Sequence, residues 1–133
     1  MIELEGIFYL EVEDVLTYYA GRFGCDPQAA ADQLRNRAGL EGTLMRPWQY
    51  AMYGNADIAL QVAVLIHGIA ETQPFLDRNK RMANGTGIVF LEENGYSLTA
   101  PPDAVATWIL TLSGTLTVEE LADRLRPYVT VAE

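Results

Sequence analysis

Gln73-Pro74-Phe75-Leu76-Asp77-Arg78-Asn79-Lys80-Arg81 puts three cations within four residues of a 133-residue chain that holds only nine lysines and arginines in all. Lys80 is the sole lysine, and the formal net charge is −9. Basic residues gathered this tightly in an acidic chain read as an anion site, and the adjoining Asp77 is a carboxylate of the kind that holds Mg²⁺ beside phosphate. Nucleotide phosphate is the ligand this pattern suggests.

Upstream of this stretch, residues 57–70 are apolar almost all round, with Leu60, Val64 and His67 on one side and Ala63, Ile66 and Ala70 on another. That composition predicts a central, buried helix. Pro74 interrupts the pattern between residues 72 and 78, and a second apolar helix is expected over 79–94, ended by Gly95. A loop feeding a helix exposes unpaired backbone N–H groups, and the helix dipole adds partial positive charge at the same end. Lys80 and Arg81 in a first helical turn oppose that dipole, a local conflict that phosphate oxygens would resolve.

Each residue also has a plainer reading. Asp77 is either a metal ligand or a helix cap. Phe75 is read as a core anchor that pins the loop. Arg78, Lys80 and Arg81 are alternatively a solvated face answering Glu71, Glu92 and Glu93, and Asn79 a residue that tolerates an unusual backbone angle.

The flanking sequence predicts further helices. Residues 11–23 carry apolar side chains at helical spacing, with Gly24 to end them, and Asp26-Pro27 opens a helix running to about residue 35. A short helix is expected over 39–46, stopped before Pro47, and the aromatic-rich segment 48–54 is read as a loop or a short extended flap. Residues 103–112 form another apolar helix. Thr117 and Glu120 make a capping box for a helix running to Arg126. The sum is a mainly α fold, a helical bundle with a possible small β-flap.

The length fits one domain spanning 1–133, and no linker or repeat divides it. The lone Cys25 has no partner for a disulfide or a zinc site, which fits a reducing cytosol, and it reads as a small buried hydrophobe. Residues 1–5 lack the basic start and apolar core of a signal peptide. The apolar stretch 60–69 is broken by Gln61 and His67 and is too short for a bilayer. These features predict a soluble cytoplasmic protein with no membrane role. The acidic balance argues against sequence-independent nucleic-acid binding.

The nine-residue stretch also resembles the central motif of the Doc (death-on-curing) branch of the Fic/Doc family, H-x-F-x-D-x-N-K-R, with Gln73 in place of the histidine. Upstream, Arg37-Ala38-Gly39-Leu40-Glu41-Gly42-Thr43-Leu44-Met45-Arg46-Pro47 is similar to the family's R-x-x-G-L-x-x-x-L-x-R-P segment. Downstream, Phe90-Leu91-Glu92-Glu93-Asn94-Gly95-Tyr96 is similar to the helix end that follows the motif. The likeness extends over most of the chain and implies a Fic/Doc-like helical bundle.

What the resemblance implies falls residue by residue on this sequence. Asp77 would bind Mg²⁺, the backbone from Arg78 through Asn79 to Lys80 would form an anion hole, and Arg81 would grip the phosphates of ATP. The activity implied is that of a toxin, neutralised by a partner antitoxin, which transfers the terminal phosphoryl group of ATP to elongation factor Tu and stops translation. Members that transfer AMP carry N-G-R-x-x-R, where this chain has Lys80 and Asn84. Arg78 stands where a small residue is usual. The family histidine takes a proton from the target hydroxyl, which the carboxamide of Gln73 cannot do near neutral pH. The open readings are therefore an impaired phosphotransferase, an inactive nucleotide- or protein-binding module, and an AMP transferase. His67, six residues earlier, is read as a satisfied core histidine and not as a substitute base.

Overall fold

The computed structural model describes residues 1–111 and 116–133. Its organising element is the helix α4 (Ile58–Thr72), as the apolar circumference of that segment requires. Val62, Ala63, Val64, Leu65, Ile66 and Ile69 are each at most 2% exposed, and removing each larger side chain from water contributes about 1.5–3 kcal/mol. Asp57 starts this helix by accepting the Leu60 N–H at 2.9 Å.

Around α4 pack α3 (Arg37–Gly54), α5 (Asn79–Glu93) and α7 (Val118–Leu125). The helices α1 (Val12–Phe23), α2 (Pro27–Asp32) and α6 (Pro102–Thr111) complete the helical part. Gly24, at φ 70°, ends α1. The close approach of α5 to α4 depends on Gly87: a Cβ there would stand 2.7 Å from Ile66 Cγ1. Leu112 of the expected 103–112 helix lies outside the described residues. The Thr117–Glu120 capping box forms as expected, with Glu120 N–H donating to Thr117 Oγ1 at 3.1 Å and Thr117 N–H to Glu120 Oε1 at 3.2 Å.

The region around Pro47 departs from expectation. The helix does not stop before the proline, and residues 48–54 are neither loop nor flap: α3 runs through Pro47 to Gly54 and is closed by Asn55 at φ 51°. An interior proline costs about 3 kcal/mol through its missing N–H and its clash with the preceding turn. Here it lies on the stripe Leu40, Thr43, Leu44 and Pro47, all buried, so burial against α4 outweighs the local cost. The helix opened by Asp26 is also shorter than expected and ends at Asp32. The residues that follow are held instead by the loop after α4.

The strand component is small and lies elsewhere than expected. β1 (Ile2–Leu4) and β2 (Ile7–Tyr9) form an antiparallel hairpin, with Ile2 opposite Tyr9. Glu5 and Gly6, at φ 53° and 82°, make its two-residue turn. β3 (Tyr96–Leu98) pairs antiparallel with β4 (Val129–Val131). Asn94 joins the hairpin to the end of α5: Phe8 N–H donates to Asn94 Oδ1 at 2.8 Å, and Asn94 Nδ2 donates to Phe8 O at 2.9 Å and to Phe90 O at 2.8 Å.

Candidate functional site

The site is the junction of α4 and α5. Gln73 ends α4 by turning left-handed, at φ 48° and ψ 61°, while its N–H still donates to Ile69 O at 3.0 Å. Pro74 cannot continue the helix. The chain then runs beside residues 33–36. Arg35 and Asn36 N–H both donate to Pro74 O, at 2.7 and 3.1 Å, Leu76 N–H donates to Gln33 O at 2.8 Å, and Leu34 faces Phe75 as an isolated antiparallel pair. The Arg35 guanidinium adds a bond from Nη2 to Gln73 O at 2.6 Å.

Phe75 is the anchor expected of it: it is 0% exposed and stacks on Tyr19 with ring centroids 5.0 Å apart. Asn79 is not the residue with the unusual backbone angle. That residue is Arg78, at φ 64°, which serves as N-cap of α5 and makes no side-chain capping bond. The Asn79 side chain holds the loop, accepting from Phe75 N–H and donating to Phe75 O, both at 2.9 Å. Asp77 does not cap the helix. Its carboxylate is 71% exposed, and its one ion partner among the described residues is Arg78 Nε at 3.8 Å.

Arg78 turns its guanidinium toward α1, 4.3 Å from the Phe23 ring centroid, with Nη1 donating to Tyr19 Oη at 3.3 Å. The cation–π contact, worth about 0.5–1 kcal/mol at an exposed site, offsets part of the cost of a non-glycine residue at positive φ. Lys80 and Arg81 are exposed, and neither makes an ion pair among the described residues. The face is solvated, but among the described residues its cations do not pair with Glu71, Glu92 or Glu93, and Glu71 lies instead beside His67 Nδ1, at 3.2 Å.

These residues surround a cavity of about 590 Å³ whose wall includes Gln73, Asp77, Arg78, Asn79, Lys80 and Arg81. All six candidates named from sequence therefore meet at one place. The first amide of α5 with an acceptor is Met82, bonded to Arg78 O at 2.9 Å; those of Asn79, Lys80 and Arg81 have no acceptor among the described residues. Three open amides at a helix start, flanked by unpaired cations, form an arrangement suited to an oxyanion. Among the described residues no group of three or more His, Cys, Asp or Glu could hold a metal. The donor set at Asp77 is one carboxylate, which fits Mg²⁺ completing its coordination with phosphate oxygens and water.

His67 is not in the wall of this cavity and its side chain is 20% exposed, less buried than a core histidine. Cys25 is half-buried against the core. Sequence reasoning missed Arg35 and the Tyr19–Phe23 shelf. The Arg35 bond spans 38 positions, and no local pattern signals a contact of that range. Among the described residues no helix is long and apolar enough to cross a membrane. No family model matches the chain, and no curated protein matches it.

Proposed function

We propose that this protein is a Doc-like toxin of the Fic/Doc family, a phosphotransferase that binds Mg²⁺-ATP at the start of α5 and acts on a translation factor of the elongation factor Tu class. On this reading it works in the cytoplasm and is held in check by an antitoxin. The observation that carries the proposal is the open helix start: among the described residues the amides of Asn79, Lys80 and Arg81 have no acceptor and Lys80 and Arg81 no counter-ion, all beside one cavity.

On this reading the roles are those the resemblance implies, and the geometry is compatible with them. The open amides and the helix dipole hold phosphate oxygens. Arg81, the third residue of α5, supplies a planar cation suited to two phosphate oxygens at once. Asp77 offers its exposed carboxylate to the metal. Mg²⁺, when bound, neutralises charge on the phosphate oxygens. Arg78 keeps its side chain on α1 and contributes its backbone conformation, which opens the first turn. Gln73 can orient a target hydroxyl through its carboxamide but takes no proton from it, and loss of a general base typically costs about 10² to 10⁴ in rate.

The test restores the base. Gln73→Asn and Gln73→His are incubated with Mg²⁺-ATP and elongation factor Tu, and the mass of the factor is measured. Phosphoryl addition with the His variant, faster by about 10² to 10⁴ than with the Asn variant, is the expected result. An unmodified factor would count decisively against phosphotransfer, and an adenylyl adduct would redirect the reading to AMP transfer. Gln73 itself favours a second reading, a binding module without chemistry. That reading fails if the present sequence modifies its target at a rate that drops on Asp77→Ala.

A further inference from the structure

Residue 73 holds a backbone conformation that a side-chain-bearing residue avoids, at φ 48°; its N–H is held by Ile69 O of α4, and the donors to its carbonyl side come from the connection between α2 and α3. Two successive carbonyls are drawn toward that connection. Gln73 O accepts from Arg35 Nη2 at 2.6 Å, and Pro74 O accepts from the N–H groups of Arg35 and Asn36 at 2.7 and 3.1 Å. Of these donors only the guanidinium is charged, and a charged donor makes the shorter and stronger bond. It grips the carbonyl of the very residue whose side chain lines the cavity. Arg35 is exposed and forms no ion pair among the described residues, so no carboxylate competes for that donor.

We propose that Arg35 is a positioning residue for the transfer reaction: by clamping the carbonyl of residue 73 it fixes that peptide plane and so aims the side chain of residue 73 across the phosphate site. This assignment rests on the phosphotransfer reading. It separates two functions within one loop. Phosphate is held by the start of α5, which has its own clamp in Asn79 on Phe75. The orientation of residue 73 depends on Arg35. Loss of Arg35 should therefore lower the rate of transfer and leave nucleotide binding in place, because a misplacement of about 1 Å costs about 10²-fold in rate.

The experiment uses the full chain carrying Gln73→His, with kcat and the KM for Mg²⁺-ATP measured for that protein and after adding Arg35→Ala, Arg35→Gln or Arg35→Lys. Arg35→Ala is expected to lower kcat about 10- to 100-fold with KM changed less than about twofold, and Arg35→Lys, which still presents a cationic donor, to recover part of the loss. Should circular dichroism find Arg35→Ala unfolded, Arg35→Gln against Arg35→Lys carries the same test, with Lys expected to be the faster. An unchanged kcat in Arg35→Ala, equal kcat in the Gln and Lys variants, or a loss confined to KM overturns the role of Arg35 while phosphotransfer stands. Absence of any transfer in the Gln73→His parent removes the phosphotransfer reading and this role with it.

Discussion

The starts of α5 and α7 are built on opposite principles. At α7, Thr117 and Glu120 satisfy each other's backbone amides, and Glu119 and Glu120 put negative charge in the first turn, where the dipole favours it. At α5, Arg78 offers no capping side chain, the first turn has no acid, and Lys80 and Arg81 stand there instead. The chain is able to cap helices: Asp26, Asn36 and Asp57 each accept an amide at the starts of α2, α3 and α4. Among these helices α5 alone has two cations in a first turn that no side chain caps, and that start lines the cavity. A local rule broken beside a cavity is what the proposed phosphate site would require.

Four substitutions test this contrast. The largest effect belongs to Phe75→Ala. The ring is fully buried, so its loss should destabilise the protein by about 3–5 kcal/mol in denaturant unfolding and abolish the rise in melting temperature that Mg²⁺-ATP is expected to give. At the conventional helix start, Thr117→Ala should cost about 1 kcal/mol; the nucleotide-induced rise should persist in full, and its loss would undo the division between the two helices. Arg81→Glu should act in the reverse sense, stabilising the free protein by about 0.3–1 kcal/mol through the dipole while eliminating the nucleotide effect. A variant that is destabilised, or that still responds to Mg²⁺-ATP, would mean that Arg81 serves the fold.

The smallest effect is electrostatic. Arg126 donates to Asp57 through Nε at 2.8 Å and Nη2 at 3.2 Å, and this pairing, with the Leu60 amide, holds the Asp57 carboxyl below the ordinary aspartate value. In the unfolded chain that value returns to about 3.9. The stabilisation is therefore complete above the unfolded value and is lost as pH falls through the lower folded one. Asp57→Asn should flatten that acid limb in a series of melting curves. The change is modest because the pair is about half exposed.

Much of this architecture was legible in the residues. The apolar circumference of 57–70 predicted the central helix, and Thr117 and Glu120 their capping box; the cation cluster with Asp77, read as an anion site, lines one cavity. Pro47 misled because a proline's local effect is readable, whereas the stripe of Leu40, Thr43 and Leu44 that overrides it acquires its meaning only once α4 lies against it. The strands were hidden for two reasons. β1 and β2 are three residues each around Glu5-Gly6, which is not one of the strong hairpin dipeptides, and β3 finds its partner 33 positions away, Ser97 opposite Thr130. At the site, the residue types were readable but their orientations were not. Arg78 reads as a phosphate contact until α1 supplies Phe23 and Tyr19 as a seat for its guanidinium.

Asn79 and Asn94 do the same thing at opposite ends of α5: each carboxamide accepts from the amide, and donates to the carbonyl, of one phenylalanine, Phe75 at the front and Phe8 at the rear. The fifteen-residue helix, about 22 Å long, is thus bolted at both ends to segments that are remote from one another. A binder that peeled away the amino-terminal hairpin would unfasten the rear bolt without touching the cradle. Any change at the proposed phosphate site would then have travelled the length of the rod.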